Sequence, residues 1–388
     1  MSRFHSYLHA ACTLVASATA GKPLAFSLKA YFSAHPQMGS RDRKTVATLC
    51  YNYYRCFFAF QNQILPESII KSQFICSSTV SDFLAFHAPH LNPCVAFPID
   101  EKCAMLGIKI TDFFPFASQV GHPVELFPFI KSLLLQPDSF LRIRKGRKPE
   151  VTNALKEAGI NFSEISEGVI RFPAGQPVDK AIALDRDAVI QDFSSQQVFF
   201  WLQQHPEKVE GKELHVWDCC SASGGKSILL YDLLQQKPKI TVSDIRKQSI
   251  HNLKERLGRA GIPLHRALVA DLTSGEAILP DENFDIILAD VPCSGSGTWA
   301  RTPEQMAGFK KDMLIDYSAS QRAISKAVTR NLSPHGLLFY ITCSVFKEEN
   351  ESVVDWLCQN GLKLLDMSYI CGYNGKADTM FSAVLTKE

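Results

Sequence analysis

Two short stretches put a thiol where a reaction could use it: Asp290-Val291-Pro292-Cys293 and Thr342-Cys343-Ser344. Each follows an apolar run of strand type, residues 284–289 before the first and 337–341 before the second. A third such run, 214–217, opens into Asp218-Cys219-Cys220-Ser221-Ala222-Ser223-Gly224-Gly225-Lys226-Ser227. In an open α/β sheet, ligands bind beyond the carboxyl ends of the strands. Two thiols and a small-residue turn would then face one crevice.

The turn closes on Ser223-Gly224-Gly225-Lys226-Ser227, as a phosphate-binding loop does. That loop also requires a glycine five positions before Gly225, and Cys220 stands there. The G-x-G-x-x-G dinucleotide pattern is absent as well. What remains, from Cys220 to Lys226, is a tight turn that lets a ligand lie against the backbone and offers helix amides at its end. Asp244 follows a second strand-like run, where a carboxylate can bind ribose hydroxyls. Asp271 follows a third and can accept from an adenine amino group. The set fits an adenosine-bearing cofactor without a pyrophosphate, and S-adenosylmethionine is the natural candidate.

Thiols beside such a cofactor suit methylation of a pyrimidine. Carbon 5 of the ring is a poor nucleophile until a thiolate adds at carbon 6 and makes it enamine-like. The carbon-5 proton must then leave and the enzyme must be expelled. Covalent catalysis of this kind needs an activated thiol. Asp290, three residues before Cys293, can hydrogen-bond the ring edge and favour protonation at N3. A lone cysteine is commonly a small buried apolar residue. Here both follow strands of one domain, and Cys293 lies in a Pro-Cys-Ser-Gly-Ser-Gly loop that is poor core material. The residues alone supply the pair and leave its division of labour open.

The elements that position these groups follow from periodicity. Strands are expected at 214–217, 239–243, 264–269, 284–289 and 337–341, with helices at 226–236, 248–260 and 314–331 between them. This alternation gives a doubly wound parallel sheet. A helix at 197–204 leads into it, after Gln191-Asp192-Phe193-Ser194-Ser195-Gln196. The fold class is therefore α/β, with a Rossmann-like domain over 185–388. Before it, residues 126–184 read as a small α/β module, with a helix at 124–135, strands at 139–143 and 168–172, and a helix at 149–158. Its loop Arg142-Ile143-Arg144-Lys145-Gly146-Arg147-Lys148 is the densest basic run in the chain. A run of this type beside an enzyme domain can hold RNA phosphates through Arg142, Arg144, Lys145, Arg147 and Lys148. Residues 1–125 are helical in pattern, including 25–32 and 44–60, with Ser40 an N-cap candidate in Gly39-Ser40-Arg41-Asp42-Arg43.

Composition sets outer limits. The chain has 388 residues, 46% hydrophobic and 21% charged, with a net charge of +2, so any nucleic-acid surface must be local. Its twelve cysteines include no C-x2-C pair, so no metal site is expected. Reduced thiols in a cytoplasmic protein are the simpler expectation. Residues 8–20 superficially outline a signal peptide, but Phe4, Leu8, Ala11, Val15 and Ala18 share one helical face, so an amphipathic first helix is expected. No stretch is long and apolar enough to span a membrane.

The last domain resembles the Sun/RsmB family of RNA cytosine-5 methyltransferases. The likeness runs through residues 191–196, the Asp218–Lys226 turn, Asp290-Val291-Pro292-Cys293-Ser294-Gly295-Ser296-Gly297-Thr298, Arg301-Thr302-Pro303-Glu304 and Tyr340-Ile341-Thr342-Cys343-Ser344. Gly39–Arg43 and the helix after it look like the NusB-like domain of the ribosomal-RNA branch. The resemblance implies that Cys343 is the nucleophile and that Cys293 helps release product. It implies cofactor contacts from Cys220, Ser221, Ala222, Ser223, Gly224, Gly225, Lys226, Asp244 and Asp271. Asp290 would lie between cofactor and base, Lys226 near the substrate pocket, and Arg301 with the RNA contacts. Three departures stand out: Ser223 replaces the family's proline, Val291 enlarges the Asp-Ala-Pro-Cys-type motif, and Asp378-Thr379-Met380-Phe381 replaces Asp-Gly-Phe-Phe. The implied activity is formation of 5-methylcytidine in RNA, most naturally ribosomal RNA, by a monomer needing no protein partner. Transfer-RNA methylation and a non-catalytic RNA-binding assembly role are the rivals.

Overall fold

The structure, a computed structural model, describes residues 2–17, 23–211, 213–234, 237–275 and 279–388. Contacts divide the chain into two compact units. One comprises Met1–Val120, Glu125–Gln136 and Thr298–Lys311; the other comprises Gly121–Val124, Pro137–Gly297 and Asp312–Glu388.

The first unit is built of helices, among them Arg3–Ser17, Leu24–Ala34, Ser40–Arg55, Leu65–Cys76 and Leu126–Leu133. The amphipathic first helix is present; its expected continuation over 18–20 lies outside the described residues. Ala10, Ala11 and Leu14 are its buried stripe. Gly39, not Ser40, caps the third helix, because Asp42 reaches back to accept from the Gly39 N–H (3.1 Å) and Ser40 is already helical. The helix expected over 44–60 is broken at Cys56, between Ser40–Arg55 and Phe57–Phe60. Thr298–Lys311 belongs to this unit although it lies in sequence between strands of the large sheet. Trp299 packs against Phe309 (ring centroids 5.1 Å) and Phe116 (6.0 Å). The buried Arg55 donates to Ala300 O and Gln136 Oε1, each at 2.9 Å.

The second unit holds two sheets. The small one runs β2-β3-β1-β4, antiparallel, from β1 (Ser139–Ile143), β2 (Ser163–Ser166), β3 (Val169–Phe172) and β4 (Ala188–Ile190). Helix Lys148–Glu157 covers it through Val151 and Leu155, which meet Leu141 and Ile170. β4 extends this sheet to Ile190, whose partner is Leu141. The stretch Val189-Ile190, read in sequence as the start of the last domain, therefore completes the small sheet.

The large sheet has seven strands: β5 (His215–Asp218), β6 (Lys239–Asp244), β7 (Leu264–Val269), β8 (Phe284–Asp290), β9 (Leu332–Thr342), β10 (Leu362–Cys371) and β11 (Thr379–Lys387), in the order β10-β11-β9-β8-β5-β6-β7. β5 to β9 are parallel, as expected. β11 pairs antiparallel with β9 and β10 antiparallel with β11, so the sheet is mixed rather than wholly parallel. Helices lie on both faces. Leu337, Phe339 and Ile341 join helices Gly225–Leu233 and Lys247–Arg259; Leu338 and Tyr340 join Met313–Val328 and Glu351–Gln359. A strand buried on both sides reads as a continuous apolar run, as 337–341 does. Each such side chain contributes roughly 1.5–3 kcal/mol. Strand order reverses at β5, which has β6 on one side and β8 on the other, and this marks the ligand crevice.

Candidate active site

The turn after β5 is held by its own hydrogen bonds. Ala222 and Gly224 take left-handed backbone conformations, with φ of 41° and 78°. A Cβ on Gly224 would sit 2.1 Å from Leu253 Cδ1, so glycine is required there for both space and conformation. Ser221 N–H donates to Ser243 O (2.9 Å), Ala222 N–H to Asp244 (3.0 Å) and Gly224 N–H to Ser221 O (2.7 Å). Two of these amides are spent on the end of β6 and one inside the turn, so they do not form a phosphate cradle. Arg256 also donates to Ser223 O (2.8 Å) while paired with Asp185 (2.7 Å). Ser223, where the family has proline, is thus pinned from outside the turn.

Acidic groups ring this turn. Asp218, at the end of β5, is buried and accepts from Ser227 Oγ. Burial, partly offset by that hydrogen bond, pushes its pKa up to about 7. Asp244 ends β6 and accepts from Ala222 N–H, Arg246 N–H (2.8 Å) and the Arg246 guanidinium (3.1 Å). Burial opposes its charge, but the Arg246 contacts outweigh this and hold its pKa below the usual value. Asp271 lies exposed beyond β7, with Thr273 donating to it. The donor set suits S-adenosylmethionine: Asp244 and Asp271, at successive strand ends, are acceptors that fit a ligand with ribose hydroxyls and no phosphate.

Asp290 ends β8 and receives Lys226 Nζ at 2.7 Å, from the first turn of helix Gly225–Leu233. Burial works against the Lys226 charge, but Asp290, Cys343 and Asp218 more than compensate and raise its pKa. The two cysteines meet: Cys293 Sγ and Cys343 Sγ are 3.4 Å apart. Their segments are stitched together by Val291 N–H to Ile341 O (3.1 Å) and Gly297 N–H to Cys343 O (2.8 Å). The hydrogen bond to Cys343 and burial push the Cys293 thiol up.

Beneath the pair lies a polar cluster that sequence reading did not single out. Glu349, fully buried, accepts from Ser294 N–H (2.8 Å), Ser294 Oγ, Ser344 Oγ and Gln321 Nε2 (3.0 Å). Asn350, also buried, accepts from Thr342 Oγ1 (2.6 Å) and donates to Ser344 O (2.9 Å). In sequence Lys347-Glu348-Glu349-Asn350-Glu351 reads as a solvated charge run. The available signal was the position of Glu349 and Asn350, six and seven residues past a catalytic-type cysteine.

The basic run divides. Arg142 is buried and binds Asp232 (2.6 Å) and Gln191 (3.2 Å). Arg144 binds Asp232 (2.7 Å) and the carbonyls of Asp185 and Ala260. These two tie the small sheet to the ends of helices Gly225–Leu233 and Lys247–Arg259 and are not open phosphate ligands. Lys148 pairs with Glu164 (2.7 Å), and Arg147 lies 3.6 Å from Asp187. Lys145 is exposed. It lines a cleft of about 500 Å³ with Arg144, Arg147, Arg186, Lys237 and Arg259. The cleft lies where β6 and β7 begin, at the sheet edge opposite the cysteines. Arg301 falls in the helical unit.

Residues 204–370 match the model of the 16S rRNA methyltransferase RsmB/F family. Over this stretch the chain is similar to that family. The chain is 27% identical over 225 residues to a probable ribosomal RNA small subunit methyltransferase B of Bacillus subtilis, covering 57% of this chain and 49% of that protein. It is 33% identical over 220 residues to ribosomal RNA small subunit methyltransferase B of Xylella fastidiosa, covering 55% and 50%. The chain thus spans about half the length of these curated relatives. Among solved structures, PH0851 is similar over 99% of this chain and 98% of its own, at 19% identity and a TM-score of 0.71. That likeness of fold extends beyond residues 204–370. No described helix is long and apolar enough to cross a membrane.

Proposed function

We propose that the chain transfers a methyl group from S-adenosylmethionine to carbon 5 of a cytidine in ribosomal RNA, in the cytoplasm, through a covalent cysteine adduct. The observation that carries this reading is the pair of thiols 3.4 Å apart at the ends of β8 and β9, beside the Lys226–Asp290 pair. Residues Cys220 to Lys226, with Asp244, Asp271 and Asp290, would hold the cofactor, which supplies an electrophilic methyl group. Cys343 adds to carbon 6 as thiolate, helped by the Cys293 S–H donor and the Lys226 charge. Asp290 hydrogen-bonds the ring edge and favours protonation at N3, so the electron pair of the new enamine is directed to carbon 5. After methylation the carbon-5 proton passes to water, the carbon 5–carbon 6 double bond re-forms, and Cys343 leaves as thiolate. Cys293 donates its hydrogen bond to that leaving thiolate. Lys145, Arg147, Lys148 and the cleft beside them supply RNA phosphate contacts, with Arg301 contributing from the helical unit.

The test uses radiolabelled cofactor with ribosomal and transfer RNA as separate substrates. Cys343→Ala should abolish transfer, and Cys293→Ala should accumulate a covalent protein–RNA adduct visible by denaturing gel. Normal turnover by Cys343→Ala would refute the mechanism, and an adduct trapped by Cys343→Ala would reverse the two roles. Transfer only to transfer RNA would move the substrate assignment, and no transfer to any RNA would favour a binding role.

A further inference from the structure

The buried cluster below the thiols brackets each cysteine on both sides. Next to Cys293, Ser294 N–H and Oγ are bound by the Glu349 carboxylate, and Pro292 O accepts from Gln321 Nε2 (3.0 Å), the same nitrogen that donates to Glu349. Next to Cys343, Thr342 Oγ1 and Ser344 O are both bound by the Asn350 amide, and Ser344 Oγ donates to Glu349. Ser296 Oγ links Ser294 and Ser344 (3.1 and 3.2 Å) and accepts from Val345 N–H (2.9 Å). Tyr340 closes the cluster through its hydroxyl, which donates to Glu349 O and meets Gln321 Oε1 (3.2 Å). A fully buried carboxylate is costly unless its charge is used or compensated. Here it draws on donors from both cysteine segments at once.

We propose that Glu349 is a positioning residue that locks the two cysteine segments in register and keeps Cys293 as the protonated member of the pair, so that Cys293 can donate to Cys343 as it leaves the product. This rests on the methyltransferase reading above. A negative charge buried beside Cys293 opposes a second negative charge on its sulfur, in line with the upward push on that thiol, to which Cys343, burial and Glu349 all contribute. Among the described residues, Tyr317 of helix Met313–Val328 and Tyr340 of β9 also interact electrostatically with Cys293. Tyr317 and Tyr340 are themselves pushed up by burial and are neutral in the working pH range. Glu349 is thus the carboxylate that touches the residue next to Cys293. The step balances without any further reactant: loss of the carbon-5 proton to water re-forms the ring double bond, the carbon 6–sulfur pair returns to Cys343, and the Cys293 proton stays on Cys293 as a hydrogen-bond donor.

The experiment separates charge from scaffold. In full-length Cys343→Ala protein, where Cys293 no longer meets a second thiol, its alkylation by iodoacetamide is followed against pH by peptide mass spectrometry. Adding Glu349→Gln should speed alkylation of Cys293 at pH 7.5 by about tenfold or more, a shift of about one unit in its midpoint. In the otherwise wild-type chain, Glu349→Gln should lower turnover with KM for RNA unchanged and should accumulate covalent adduct. A folded Glu349→Gln protein with an unmoved alkylation profile would overturn the proposal. If Glu349→Gln does not fold, Gln321→Ala replaces it. That variant frees Pro292 O but leaves the charge, so adduct should accumulate with no fall in the Cys293 midpoint, and normal turnover would overturn the proposal. The alkylation arm needs no RNA or cofactor. Absence of methyl transfer by the wild-type chain would therefore sink the enzymatic reading and leave the electrostatic result standing.

Discussion

Asp218→Asn should gain stability relative to wild type, by about 2–3 kcal/mol, as pH rises from 5 to 8.5. The Asp218 carboxyl is buried at the end of β5, one oxygen receives Ser227 Oγ, and the other meets no partner among the described residues. Its pKa is pushed up to about 7 in the folded protein, against about 3.9 in an unfolded chain. A carboxyl raised in the folded state favours folding when protonated. That contribution is complete below about pH 4 and is lost as pH rises through about 7. Three units correspond to an upper figure of about 4 kcal/mol above pH 7. Asparagine keeps an acceptor for Ser227 but turns an NH2 toward the unpartnered side, which costs about 1–3 kcal/mol at every pH. About 1.5 kcal/mol of that contribution is already gone at pH 5, because the unfolded carboxyl is ionised there, so the variant should lie within about 1.5 kcal/mol of wild type at pH 5 and be about 1–3 kcal/mol more stable at pH 8.5. For a unit of this size each kcal/mol moves Tm by about 2–4 °C. Thermal unfolding of both proteins from pH 5 to 8.5 gives the difference directly, and the titration of surface groups cancels. Parallel Tm curves would show that Asp218 does not titrate in this range and would refute the account of its burial.

Other perturbations test the site from different directions. Gly297→Ala should abolish turnover and cost several kcal/mol in stability, since its Cβ would lie 2.1 Å from Thr379 O and 3.1 Å from Cys343 O, both backbone atoms; a fully active, stable variant would count against the close packing of the two segments. Arg256→Ala frees Ser223 O and should weaken S-adenosylmethionine binding about five- to fiftyfold by calorimetry while leaving kcat at saturating cofactor nearly intact; unchanged affinity would mean the turn holds itself. Lys145→Glu with Lys237→Glu should weaken RNA binding for all sequences alike and flatten its dependence on salt, whereas an unaltered salt slope would remove the cleft from the RNA path.

The parallel core and the turn at Cys220–Lys226 were legible because both obey short-range rules. Strands buried on two faces read as apolar runs, and the registry of β5, β6 and β8 follows from consecutive right-handed crossovers. β10 was not legible. It lies at the sheet edge, half of its residues are exposed, and a bulge between Leu364 and Asp366 breaks the alternation that marks a strand. β2 failed for the same reason, with four exposed residues. The basic run looked like one surface, but β1 alternates through it. Arg142 and Arg144 are drawn to Asp232, some ninety residues away in sequence, and no local pattern carries that information. Glu349 and Asn350 were lost in a charge run for the opposite reason: only the folded arrangement of the two cysteine segments supplies the donors that let them be buried.

The antiparallel hairpin explains how a nucleophile can sit safely at the end of a strand. Strand ends fray, and an edge strand has half its backbone groups unpaired. Thr342 is the last residue of β9, and Cys343 lies just beyond it. If the sheet ended at β9, this end would be held only on the β8 side. β11 supplies the other side, pairing Phe381 with Thr342 and Ser382 with Ile341. The β11 backbone at Thr379 also packs closely against Gly297, the residue whose N–H holds Cys343 O. The thiol is therefore fixed from both flanks and from the buried cluster below. A reaction that needs sulfur held to within about half an ångström of its productive position beside a ring carbon requires such support. On this argument Asp378-Thr379-Met380-Phe381, remote in sequence from both cysteines, is part of what positions them.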